Sequence, residues 1–153
     1  MQWLLDHGAD ANARSQGGWT PLHAAASYAR LEAVQLLIEH NAHINSQNTA
    51  GETPLQKVLS SSSDPSSEGK IINTMRRLLE HGADTNIADR NHSTPLHRAS
   101  SQGWVEIARL LLSYGANVDE MDKDGRTPFQ VASERGHLEM TKLRLEHGAV
   151  SQQ

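Results

Sequence analysis

The strongest constraint on this 153-residue chain is a period. Thr-Pro-Leu-His runs from Thr20 to His23, Thr-Pro-Leu-Gln starts at Thr53, Thr-Pro-Leu-His returns at Thr94 and Thr-Pro-Phe-Gln at Thr127, at spacings of 33, 41 and 33. A second marker, Gly-Ala or an Asn-Ala variant, falls at Gly8, Asn41, Gly82, Gly115 and Gly148, at spacings of 33, 41, 33 and 33. Two markers on one ruler mean that one supersecondary unit recurs. A unit of this size cannot bury its apolar face alone, so the copies must stack on one another.

Within each period the residues read as two short helices and a turn. The Thr supplies an N-cap hydroxyl, and the Pro after it stands at the first helical position, where a missing N–H costs nothing. The third residue after the cap is His23, Gln56, His97 or Gln130, and the Gln versions complete a capping box. A second helix carries apolar residues at helical spacing, such as Leu31, Val34, Leu37 and Ile38, and is expected to stop at the Gly or at Asn41. Asp122-Lys123-Asp124-Gly125 and Asn48-Thr49-Ala50-Gly51 have the residues of tight turns ahead of the next cap. Leu, Ile, Val and Phe together number only 30, while Ala supplies 17, so small side chains must let the helices approach closely.

The unit D-x-x-G-x-T-P-L-H, small residues, G-H-L-E and L-L-x-x-G-A-D-x-N resembles the ankyrin repeat, and Asp122 to Ala149 follows it almost position for position. The resemblance covers essentially the whole chain as one domain: a partial repeat at 1–14, then repeats at 15–47, 48–88, 89–121 and 122–153. It implies an all-α solenoid of stacked antiparallel helix pairs joined by β-hairpin-like turns. It also implies a non-catalytic module, part of a larger protein, that binds a partner protein through the concave side formed by turn tips and first helices.

Repeat 48–88 carries eight extra residues, expected between its helices in an exposed, Ser-rich loop at Ser60 to Gly69, with Asp64-Pro65 available to cap a second helix running to His81. Ser61, with Asp64 three residues downstream, is a candidate phosphorylation site. Arg144 replaces the Leu37, Leu78 or Leu111 of other repeats and reads as a polar C-terminal face. Met1 enters midway through a second helix, so either the chain is a fragment of a longer array, the reading the missing N-terminal cap favours, or half a repeat serves as the first layer.

Other chemistries find little support. Without Cys there are no disulfides or thiolate ligands. Of nine His, two belong to caps and four precede the helix-ending Gly or Asn, so no metal site and no cofactor are expected. No nucleophile–base set or phosphate-binding Gly loop occurs. A net charge of −4 argues against nucleic acid, and no apolar run approaches the length of a membrane span. A monomer in a reducing, intracellular compartment, cytoplasm or nucleus, is the expectation.

Reading the family's variable positions onto this chain gives candidate protein-binding residues Trp19 and Tyr28, Glu52 and Lys57, Arg90, Asn91 and Arg98, and Lys123, Arg126 and Arg135. The rings of Trp19 and Tyr28 either anchor a partner or lie on the neighbouring repeat. The cations on the last two repeats suggest an acidic or phosphorylated partner segment, or else an ordinary solvated surface. Two alternatives remain. One is a substrate of asparagine hydroxylation at Asn12, Asn45 and Asn86, which the resemblance places in the hairpins. The other is a recognition or inhibitory subunit attached to an enzyme.

Overall fold

The computed structural model describes residues 2–61 and 65–151. It divides into two compact units, Met1–Asp84 and Thr85–Gln153. The first holds α1 (Gln2–Asp6), α2 (Pro21–Ser27), α3 (Leu31–Glu39), α4 (Pro54–Val58), a 3-10 turn (Pro65–Ser67) and α5 (Glu68–Glu80). The second holds α6 (Pro95–Gln102), α7 (Val105–Ser113), α8 (Pro128–Glu134) and α9 (Leu138–Ser151). Among the described residues there is no strand. In the first unit α2 lies against α4 and α3 against α5; in the second α6 lies against α8 and α7 against α9. Like helices therefore stack on like helices, as the repeat requires.

Each first helix starts in the same way. Thr20, Thr53, Thr94 and Thr127 are extended, their hydroxyls accept the N–H of the third helical residue, and that residue's side chain returns to the Thr backbone N–H. His23 and His97 thus serve as the Gln residues do, and they do more. With Nδ1 accepting from the Thr N–H at 3.1 Å, each ring carries its proton on Nε2 and donates it into the following repeat. His23 reaches the Glu52 carbonyl at 2.8 Å, and His97 the Arg126 carbonyl at 2.9 Å. One side chain thereby satisfies backbone groups in two repeats, at a site buried from water.

The apolar core is built from the inward faces of these pairs. Leu22, Ala26, Val34, Leu37, Leu55, Met75 and Leu78 fill the first unit, and Leu96, Ala99, Ile107, Ala108, Leu111, Ala132 and Met140 the second; all are at most 1% exposed. Alanines and Ser100 let the first helices come close, but α4 has buried Val58 and Leu59 where α2 has Ala25 and Ala26.

Second helices end as the markers anticipate at Gly8, Asn41, Gly82 and Gly115, all at positive φ. The Nδ1 atoms of His7, His40 and His81 cap the carbonyls four residues back at 2.7, 2.9 and 2.9 Å. Gly148 departs from expectation, because α9 runs through it to Ser151. At Asn41, Gly82 and Gly115 a hairpin Asn of the preceding repeat bonds the carbonyl at the helix end. Asp119 stands at that position here, and its side chain has no N–H to offer.

The inserted segment also differs from a plain loop at Ser60 to Gly69. The 3-10 turn and α5 take up Pro65 to Gly69, and the N-cap of α5 is Ser67. Asp64, the anticipated cap, lies outside the described residues, as do Ser62 and Ser63.

Two predictions follow from these helix ends. Ala29 sits at φ 51°, where the equivalent positions of the second unit carry Gly103 and Gly136 at 73° and 76°. Left-handed backbone costs an L-residue roughly 1–2 kcal/mol, only partly offset by the lower entropy loss of Ala. Ala29→Gly should therefore raise stability by about 0.5–1 kcal/mol in urea melts. Gly103→Ala should lower it by more, because its new Cβ would meet His137 Nδ1 at 2.6 Å.

Burial lowers the His23 pKa from 6.5 despite the bond to Glu52. The unfolded chain then takes up its proton first as the pH falls, so stability from this site is complete above 6.5 and declines below it toward the folded value. Relative to wild type, His23→Gln, which keeps the capping box, should gain stability between pH 7 and 5; parallel loss in both proteins would refute the assignment.

Candidate protein-binding face

The turns that carry the candidate tips are organised by one side chain each. Asn48 Oδ1 accepts from the N–H groups of Ala50 and Glu52, Asp89 Oδ1 from Asn91 and Ser93, and Asp122 Oδ1 from Asp124 and Arg126, all at 2.8–3.0 Å. Burial works to raise the Asp122 pKa, but these N–H groups and the Arg126 guanidinium outweigh it and hold the carboxyl below its ordinary value. Each turn also closes on itself, as between Asn48 N–H and the Glu52 carbonyl at 3.0 Å. Neighbouring tips are joined within each unit: Thr49 N–H donates to Gly17 at 2.9 Å, and Lys123 N–H to Asn91 at 3.0 Å. The backbone of the tips is thus fixed without help from most of the side chains they present.

In the first unit, three candidates form one contact rather than a free surface. The Lys57 ammonium lies 4.7 Å from the Trp19 ring centre and 3.4 Å from Glu52 Oε1. The Lys57 and Glu52 side chains are only 13% and 14% exposed. Trp19 therefore rests against the neighbouring repeat, the second of the two arrangements considered for it, and its half-buried indole is covered by a cation. Tyr28 differs. It terminates α2 with 73% exposure and lines a notch with Arg30 and Lys70.

In the second unit, the five cations separate into two groups. Arg126 is enclosed by Asp122 at 3.2 Å, Asp124 at 3.3 Å and Glu134 at 2.9 Å, and Arg98 stands 4.0 Å from Asp89. Arg90, Lys123 and Arg135 are exposed and form no ion pair among the described residues. Asn91 is exposed beside Arg90. The basic character of these repeats therefore resides in three side chains, because ion pairing spends the charge of the other two locally.

The hairpin asparagines are engaged. Asn12 donates to the Asn41 carbonyl at 3.1 Å and accepts from His43 N–H at 2.7 Å. Asn45 makes the same pair with Gly82 and Asp84 at 3.2 and 2.8 Å, and Asn86 with Gly115 and Asn117 at 3.0 and 2.7 Å. Each amide bridges two repeats, so an enzyme acting on these residues would meet them with both ends of the amide occupied. Ser61 is half-buried, and its Oγ is shielded from solvent without a hydrogen-bond partner among the described residues. Arg144 is exposed.

The Asn bridges are a role that reading the sequence alone did not assign, and their signal was the recurrence of Asn at 33- and 41-residue intervals. Among the described residues no three His, Asp or Glu gather as metal ligands, and no helix is long and apolar enough to cross a membrane.

The family described as ankyrin repeats (3 copies) matches residues 66–152, and that described as ankyrin repeats (many copies) matches residues 4–58. Among curated proteins, the chain is 35% identical over 107 residues to the human "Ankyrin repeat, SAM and basic leucine zipper domain-containing protein 1", and equally so to its counterparts in Colobus guereza and Chlorocebus aethiops. The alignment covers 70% of this chain and 22% of each relative. With one match alone spanning more than half of the residues, and with four capping boxes and three hairpin asparagines in register beneath it, the chain belongs to the ankyrin repeat family.

Proposed function

We propose that the chain is a non-catalytic docking module whose second unit takes an acidic segment of a partner protein at its turn tips and first helices. Ankyrin repeats are in general protein–protein interaction modules. The observation that carries the finer reading is the division of cations. Arg90 and Lys123 stand on tips whose backbone is already fixed, and Arg135 ends α8, all three exposed and without an ion pair among the described residues. A partner carboxylate or phosphate meeting them has no internal ion pair to displace. The alignment covers 22% of its relatives' length, and in this reading the chain acts as one part of a larger protein in a reducing, intracellular compartment.

Capture from native extract, read by mass spectrometry, tests the face. Arg90→Glu with Lys123→Glu and Arg135→Glu should reduce capture of the partner at least about tenfold, since exposed charges contribute up to about 1 kcal/mol each. Helicity by circular dichroism should not change. Arg126→Ala should instead lower the melting temperature, because it strips three carboxylates of their common partner. Undiminished capture by the triple variant removes the proposed face.

A further inference from the structure

The connection between α2 and α3 and the start of α5 border an open notch of about 780 Å³, within the size range of clefts that hold ligands. Its lining includes Tyr28, Arg30, Glu32 and Lys70. The inserted residues built one wall of it. Helix α3 starts 11 residues after Thr20, and α7 starts 11 after Thr94, but α5 starts 15 after Thr53. Of the eight extra residues, four therefore became an additional helical turn, Glu68 to Ile71. Ile71 pins that turn, with 1% exposure, and Lys70 beside it faces the notch.

On the opposite wall, Ala29 at φ 51° reverses the chain between Tyr28 and Arg30. Arg30 and Lys70 are exposed, and neither forms an ion pair among the described residues. Two cations face one carboxylate, Glu32, which stands in the first turn of α3, where the helix dipole already favours it. The exposed Tyr28 ring supplies an apolar wall.

We propose that this notch is a second docking site, for a short acidic peptide segment of a partner protein whose carboxylates meet Arg30 and Lys70 while an apolar side chain lies on the Tyr28 ring. It sits at the opposite end of α2 from the turn tip and does not depend on the second unit.

A phage-displayed random dodecapeptide library selected on the whole chain tests this. Wild type should enrich peptides that combine acidic with aromatic or aliphatic residues. A synthetic copy of the commonest one should shift the amides of residues 28–33 and 70, bind more weakly as salt is raised, and lose at least about tenfold in affinity to Arg30→Glu with Lys70→Glu. Both side chains are exposed, and Arg30→Gln with Lys70→Gln provides a milder pair if charge reversal disturbs folding. Recovery of no peptide, of peptides without acidic preference, or of peptides indifferent to both pairs overturns the notch. Acidic peptides that shift only Arg90 and Lys123 overturn it while leaving the second-unit face intact.

Discussion

A repeat of this size cannot stand alone, and what sets the register of its neighbour is a side chain that satisfies backbone groups in two repeats at once. Asn12, Asn45 and Asn86 do so at the hairpins, each donating and accepting across the junction. His23 and His97 do so at the helix N-termini. Apolar packing supplies most of the stabilisation, but it tolerates sliding. Paired hydrogen bonds of defined length do not, and at His23 and His97 a slip would leave a buried ring N–H without its partner. The positions of the turn tips, and therefore of anything that binds there, depend on these bridges.

The same bridges explain which parts of the fold were legible in the sequence. Four Thr-Pro starts and the stops at Gly8, Asn41, Gly82 and Gly115 are local events, decided by residues within one turn of each other, and a single sequence carries them openly. The end at Gly148 differs from its local signal, since α9 runs on to Ser151, and that repeat also has Asp119 where the hairpins preceding Asn41, Gly82 and Gly115 bring an amide. Pro65 to Gly69 reads as a Ser-rich loop by composition, yet Ile71 found apolar cover and drew a further helical turn with it. The strain at Ala29 could have been seen by aligning it with Gly103 and Gly136.

The candidate site was legible in outline and not in energetics. Position alone placed Arg98 and Arg126 among the binding residues, and position cannot say that Asp89, Asp122, Asp124 and Glu134 stand within ion-pair distance of them. Trp19 was likewise placed by position, and whether its ring faces a partner or a neighbour depends on Lys57, 38 residues away in the chain. Charge and aromatic content describe a surface; only the pairing of its groups says which are left to bind.

The hairpin amides have a further consequence for the life of the molecule. An asparagine side chain hydrolyses spontaneously to a carboxylate over time, and that change removes the N–H with which Asn12, Asn45 or Asn86 holds the neighbouring helix end. Asp119 carries a carboxylate at the corresponding hairpin position, and α9 of the repeat that follows it runs on to Ser151. Deamidation would therefore register first as loosened junctions between intact repeats, so that the array ages from its seams and not from its cores.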